Sequence, residues 1–128
     1  MNLVDTSAWI EYFFGGPNAA YFGGPIEDTE HLIVPVVCLY EVFKKVNHVA
    51  DEARAFRSVA QMKQGRVVEL SEEIALSAAT ISLKHRLPMA DSFIYATAQL
   101  AGAVVWTQDV DFKNLADVNY KEARTRAS

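Results

Sequence analysis

Short apolar runs alternate with segments of helical periodicity along most of the chain. Four runs have the length and flanking residues of buried strands, and they cover residues 1–4, 31–34, 67–70 and 103–107. Helical spacing of apolar residues predicts helices over 8–14, 35–46, 51–64, 71–85 and 92–101, with a weaker one over 18–30. Strands that alternate with helices predict an α/β fold, with a mainly parallel sheet flanked by helices.

The size and composition of the chain are those of an ordinary globular protein. Its 128 residues suffice for one hydrophobic core, so we expect a single domain over residues 1–128. No apolar run approaches the length of a membrane span, and the first residues lack the features of a secretion signal. We therefore expect a cytoplasmic protein that does not contact membranes, and the single cysteine, Cys38, is compatible with that compartment.

The balance of charge argues against simple binding to a phosphate backbone. The chain carries 16 acidic and 12 basic side chains, which gives a net charge of −4. This argument does not apply to acidic residues that surround divalent cations, because the bound metal presents a positive face to a substrate. The prediction of function must therefore rest on particular acidic residues.

Four acidic residues are placed to meet at one edge of the predicted sheet, where the parallel strands end. Asp5 follows the first strand, Asp109 follows the fourth, and Glu41 lies about two turns into the helix after the second. Asp91 begins the helix before the fourth strand, and it reaches the same edge only if that helix points its N-terminus there. Clustered carboxylates are the ligands that suit Mg²⁺ and Mn²⁺.

Each of these acids also has a purely structural interpretation. Asp5 could cap the first helix, and Glu41 could pair with a lysine three or four residues further on. Asp91 could be a favourable charge at a helix N-terminus, while Asp109 or Asp111 could be turn residues. No single acid decides between the two interpretations.

The order and content of four segments distinguish the chain further. The segments are Val4-Asp5-Thr6-Ser7-Ala8-Trp9-Ile10, the helical residue Glu41, Leu87-Pro88-Met89-Ala90-Asp91-Ser92-Phe93-Ile94-Tyr95-Ala96-Thr97-Ala98, and Thr107-Gln108-Asp109-Val110-Asp111-Phe112. Together they resemble the PIN-domain ribonucleases, and most of all the VapC-type toxins of prokaryotic toxin–antitoxin pairs. The resemblance covers essentially the whole chain.

This resemblance implies a PIN-like three-layer fold with a central sheet of four or five strands. It also implies an endoribonuclease that cleaves RNA with Mg²⁺ or Mn²⁺ through metal-activated water. The implied partners are the RNA substrate, a cognate antitoxin protein and a second copy of the chain in a homodimer. The implied catalytic and metal-binding acids are Asp5, Glu41, Asp91 and Asp109. Asp111 competes for the fourth place, and Ser7 and Thr107 are candidates for supporting hydrogen bonds.

Two further groups of residues are candidates for binding. Trp9, Tyr12 and Phe13 belong to an aromatic segment that is mostly core, although part of it could form a groove for an antitoxin helix. Basic residues lie on one helix face and near the C-terminus, where they are either solvated charges or RNA contacts. These basic residues are Arg54, Arg57, Lys121, Arg124 and Arg126.

Two alternative functions remain open at this point. The first is a degenerate PIN-like module that binds protein and cleaves nothing. The second is a phosphoryl-transfer domain in which Asp5 is the phosphorylated nucleophile. The segment after Asp5 lacks the second aspartate of dehalogenase-like phosphatases, and no lysine follows the fourth strand as a receiver domain would require.

Overall fold

A five-stranded parallel sheet forms the centre of the protein, and six α-helices flank it within residues 1–124, which are the residues that the computed structural model describes. The strands are β1 Asn2–Val4, β2 Leu32–Pro35, β3 Arg66–Val68, β4 Val104–Thr107 and β5 Val118–Tyr120. The helices are α1 Thr6–Phe13, α2 Ala19–Glu27, α3 Val36–Val49, α4 Glu52–Met62, α5 Glu72–His85 and α6 Met89–Ala101. The predicted α/β class and parallel sheet are confirmed.

The order of the strands creates a crevice beside β1. The strand order in the sheet is β3-β2-β1-β4-β5. The chain therefore adds β2 and β3 on one side of β1 and then crosses over to add β4 and β5 on the other side of β1. Asn2 is paired with Leu32 on one side and with Val104 on the other. In parallel sheets of this type the reactive crevice lies beyond the carboxyl ends of the strands on either side of the reversal. Here those strands are β1 and β4.

Local sequence explains where the helices begin near this crevice. Asp5 has an extended backbone, and its side chain accepts a hydrogen bond from the Ala8 amide, so it caps α1. Pro35 precedes α3 and has no amide hydrogen, which suits a position where that hydrogen would lack a helical partner. Both helices therefore start directly at the carboxyl edge of the sheet.

The core lies between the sheet and its helices. Its largest fully buried side chains include Trp9, Phe22 and Phe112, which come from opposite ends of the sequence. Burial of each such aromatic ring stabilises the fold by roughly 2 to 3 kcal/mol. None of the helices within residues 1–124 is both long and apolar enough to cross a membrane.

Three elements differ in detail from the prediction. Strand β5 is additional to the four predicted strands. Only three residues form it, too few to show a strand pattern in the sequence, and they follow a turn at Asp117, which has a φ of 59°. Helix α6 begins at Met89 instead of Ser92, so Asp91 lies in its first turn. Helix α2 is shorter than the predicted 18–30 segment and is followed by a 3₁₀ turn over Thr29–His31.

Candidate active site

Asp5 lies at the carboxyl end of β1 and is almost completely buried, with 2% of its surface exposed. Its Oδ1 accepts hydrogen bonds from the Ser7 hydroxyl at 2.8 Å and from the Ala8 amide at 3.3 Å. The pKa of this carboxyl is raised to about 7, mainly by burial and to a smaller extent by the charge of Asp109, while its hydrogen bonds act in the opposite direction. A nearby cation would favour the ionised form of Asp5.

Three more acids form a tight group beside Asp5. Carboxylate oxygens of Asp91, Asp109 and Asp111 all lie within 4.8 Å of one another. The pKa of Asp91 is raised to about 8, first by burial and then by the charge of Asp109, while a hydrogen bond to Asp111 and the charge of Asp5 add to the effect. Helix α6 therefore does point its N-terminus at the acidic edge.

The loop after β4 is shaped so that both of its acids face Asp91. The Asp109 amide donates to the Thr107 hydroxyl at 2.9 Å, and the Asp111 amide donates to Asp109 Oδ1, also at 2.9 Å. Asp109 thereby caps the 3₁₀ turn Val110–Phe112, in which Phe112 is fully buried. The sequence posed Asp109 and Asp111 as competitors, whereas the structure brings both into the group.

Glu41 approaches the site from α3. Its Oε1 accepts a hydrogen bond of 2.6 Å from the hydroxyl of Thr6, the residue after Asp5. Glu41 is not part of the three-acid group formed within residues 1–124. Burial raises the pKa of the Cys38 thiol, and the charges of Asp5, Glu41 and Asp91 raise it further, so all three acids surround one buried sulfur.

Hydroxyl groups connect β1 to β4 underneath the acids. The Ser7 and Thr107 hydroxyls lie 3.3 Å apart, and the Gln108 amide donates to Ser7 Oγ at 3.2 Å. Since Ser7 also donates to Asp5, these contacts fix the buried carboxyl relative to the loop that carries Asp109. Ser7 and Thr107 remain candidates for the supporting role that the resemblance implies.

Within residues 1–124, no lysine, arginine or histidine forms an ion pair with these acids. Within residues 1–124 the ion pair between His31 and Asp28 is the only one, and it lies away from this edge. Oxygen ligands in a partly buried group, uncompensated by lysine or arginine, match the preference of Mg²⁺ and Mn²⁺. The residues present therefore fit a divalent cation, with Asp5, Asp91, Asp109 and Asp111 as the candidate ligands.

The aromatic groove predicted from the sequence is only partly available. Trp9 is wrong as a groove residue, because its side chain is 0% exposed and its ring stacks on Phe13. Tyr12 and Phe13 are half-buried, and Phe13 lines an open cavity of about 270 Å³ between α1 and α4. The other cavity residues are Phe14, Val46, Arg54, Arg57, Ser58 and Gln61.

Of the basic residues near the C-terminus, Arg126 lies outside the described part of the chain.

Two residues at the site, Thr6 and Cys38, are not among those that the sequence predicts. A hydroxyl directly after a site aspartate, as at Thr6, is nevertheless a candidate donor to a second carboxylate. Cys38 lies one turn before Glu41 on α3, a spacing that places both on one helix face. That spacing could have located the thiol beside the acids.

Comparison with known proteins identifies the family. The model of the PIN domain matches residues 3–118, and the chain therefore belongs to the PIN domain family. A search of curated proteins found no match.

Solved structures with the same fold include toxins and toxin–antitoxin complexes. A toxin–antitoxin complex from Klebsiella pneumoniae contains a chain that is 22% identical, with a TM-score of 0.79, over 95% of this chain and 99% of that one. VapC20 of Mycobacterium tuberculosis, described as a toxin that cleaves the sarcin-ricin loop, is 17% identical with a TM-score of 0.78, over 98% and 100%. FitAcB of Neisseria gonorrhoeae is 23% identical with a TM-score of 0.71, over 94% and 96%. At these identities the likeness shows a shared fold.

Proposed function

We propose that the protein is an endoribonuclease that depends on Mg²⁺ or Mn²⁺ and acts as the toxin of a toxin–antitoxin pair. The observation that supports this most strongly is the convergence of uncompensated acids at the carboxyl edge between β1 and β4. The PIN domain family and the fold shared with toxins support it independently.

The proposed roles follow from where each acid lies. Asp91, Asp109 and Asp111 would hold the cation, because their carboxylate oxygens lie within 4.8 Å of one another. Asp5, which interacts electrostatically with Asp109, would be a further ligand. When bound, the cation would polarise a phosphodiester oxygen and lower the pKa of a water molecule. Glu41, which accepts a hydrogen bond from Thr6, would orient or deprotonate that water.

Sequence and geometry disfavour the two alternatives. The phosphoryl-transfer alternative lacks its required partners, because no second aspartate follows Asp5 as in dehalogenase-like phosphatases and no lysine follows β4 where a receiver domain would require one. A degenerate binding module would have no need for uncompensated carboxylates that raise one another's pKa.

The test is RNA cleavage by the purified protein, freed of any copurified partner. We expect cleavage with Mg²⁺ or Mn²⁺, none in EDTA, and at least a hundredfold loss in Asp5→Asn and Asp91→Asn. Asp117→Asn is the matched control, because Asp117 is an exposed aspartate outside the acidic group. Equal cleavage in EDTA, or full activity in both asparagine variants, would exclude this mechanism. Sequencing of the cleaved RNA ends would identify the substrate.

The proposed antitoxin contact is the cavity between α1 and α4. Aromatic walls from Phe13 and Phe14, with Arg54 and Arg57 at its rim, suit an apolar helix that carries acidic residues. We expect the Arg57→Glu variant to resist inhibition by its cognate antitoxin while it still cleaves RNA. Inhibition equal to that of the unsubstituted protein would exclude this contact.

Homodimerisation and a cytoplasmic location complete the proposal. Sedimentation analysis of the purified protein tests whether it forms a homodimer.

A further inference from the structure

The segment after β5 lies along the same edge of the sheet as the acids. The Lys121 amide donates to the Thr107 carbonyl at 2.9 Å, which continues the pairing of β5 with β4. Asn18 then holds the segment, because its side-chain amide donates to the Glu122 carbonyl at 2.9 Å and its oxygen accepts from Arg124 at 3.5 Å. Asn18 is 1% exposed, so a buried residue fixes the course of this segment.

Asn18 also connects the segment to the acidic site. Its side-chain amide donates to Gln108 Oε1 at 3.1 Å. The Gln108 backbone amide donates to Ser7 Oγ, which in turn donates to Asp5. A short series of hydrogen bonds therefore joins the segment that carries Lys121 and Arg124 to the most buried carboxyl of the site.

An aromatic ring lies against this segment. The Lys121 ammonium group lies 5.2 Å from the centre of the Tyr21 ring. Tyr21 is 37% exposed, and its ring packs against Trp106 of β4 at a centroid distance of 5.3 Å. A partly exposed ring that is supported from behind, with a cation beside it, is the arrangement that proteins use to bind single-stranded nucleic acid.

Acids within residues 1–124 do not neutralise the two cations of this segment. Neither Lys121 nor Arg124 forms an ion pair with any acid in the described part of the chain. Because the net charge is −4 and the acids themselves repel phosphate, an RNA substrate needs fixed cations close to the site.

We propose that Tyr21, Lys121 and Arg124, here named the basic strip, bind an unpaired segment of RNA next to the cleavage site. When RNA binds, the Lys121 ammonium leaves the face of Tyr21 for a phosphate, a base stacks on the ring in its place, and Arg124 contacts the next phosphate. An exposed ring selects unpaired RNA, since bases in a duplex are already stacked. This inference rests on the proposed function and names the surface that holds its substrate.

The test measures binding separately from cleavage. Every variant carries Asp5→Asn, and binding of a fluorescently labelled single-stranded RNA is followed by anisotropy over a series of salt concentrations. Each phosphate contact contributes about 0.7 to the slope of log K against log salt, so Lys121→Met/Arg124→Gln should lower that slope by about 1.4. Tyr21→Leu should weaken binding roughly tenfold and leave the slope unchanged, whereas Tyr21→Phe should bind normally.

The matched control is Lys63→Met/Arg66→Gln, which removes one lysine and one arginine charge, as the strip variant does. Both residues are exposed, and Arg66 begins β3, so they lie toward the amino edge of the sheet, opposite the acids. Melting temperatures of all variants, compared with the parent, exclude unfolding as the cause of weaker binding.

The outcomes separate this inference from the proposed function. An unchanged slope in the strip variant, or an equal fall in the control, would overturn the basic strip even if the enzyme cleaves RNA. If Lys121→Met/Arg124→Gln no longer binds the antitoxin but still binds RNA normally, the inference is likewise overturned and the basic strip is a protein contact. If the strip substitutions weaken RNA binding, but the protein without Asp5→Asn does not cleave RNA, the basic strip is supported and the proposed nuclease function is refuted.

Discussion

Asp5→Asn should make the metal-free protein more stable, and the gain should grow with pH. The folded protein raises the pKa of Asp5 from 3.8 to about 7, so between these values it holds a proton that the unfolded chain has released. Ionisation of Asp5 therefore destabilises the folded state progressively as the pH rises through this window, and the full cost is present above pH 7. Asparagine does not ionise and escapes this cost.

The size of the effect follows from the shift. A rise from 3.8 to about 7 corresponds to about 4 kcal/mol of destabilisation at high pH. Part of this cost is already present at pH 5, so the advantage of Asp5→Asn should increase by about 3 kcal/mol between pH 5 and pH 8. The asparagine oxygen can still accept from Ser7 and Ala8, which preserves the cap of α1.

Thermal unfolding of EDTA-treated protein at the two pH values measures this difference. For a chain of this size we expect the gap in Tm between variant and parent to widen by roughly 10 °C from pH 5 to pH 8. Asp117→Asn is the control, since it removes an exposed carboxylate and should give a gap that does not change with pH. A gap of constant size for Asp5→Asn would refute the view that burial and crowding destabilise the ionised site.

Three further predictions test other parts of the structure. Mg²⁺ at about one hundred times its Kd should stabilise the protein by about 3 kcal/mol, as measured by chemical unfolding, and a similar gain in Asp91→Asn would contradict the proposed ligands. Thr6→Val should slow RNA cleavage roughly tenfold to a hundredfold because Glu41 loses its donor, while Thr6→Ser should keep the rate; equal rates in both would remove Thr6 as a positioning residue. Asn18→Ala should lower the free energy of unfolding by about 1 to 3 kcal/mol and expose the segment after Tyr120 to proteolysis, and undiminished protection would show that Asn18 does not hold it.

Much of the fold could be predicted because periodicity and capping residues agree along the chain. Asp5, Asp51 and Ser71 each accept a hydrogen bond from the amide three residues on, and each begins a helix where the sequence placed one. Strand β5 could not be predicted in this way. It has only three residues, none of them fully buried, and its pairing with β4 supplies the stability that its own sequence lacks.

The candidate site was predicted less completely than the fold. Resemblance named the acids, but it could not show that Asp109 and Asp111 both face Asp91, because this depends on a 3₁₀ turn fixed by buried Phe112. Nor could it show that Trp9 is enclosed, since a helix of aromatic residues presents one face to the core and another to solvent. The contact of Glu41 with Thr6 joins residues 35 positions apart, a pairing that only tertiary structure reveals.

The central place of β1 in the sheet also governs when the acids can meet during synthesis. Strand β1 must wait for β4 before it can pair on that side, because Leu3 pairs with Val105 and Val4 with Trp106. Contacts so distant in sequence form only after the ribosome has made the residues of β4. A copy whose translation stops before β4 therefore has Asp5, Glu41 and Asp91 but neither Asp109 nor Asp111, so the acidic group cannot assemble in it.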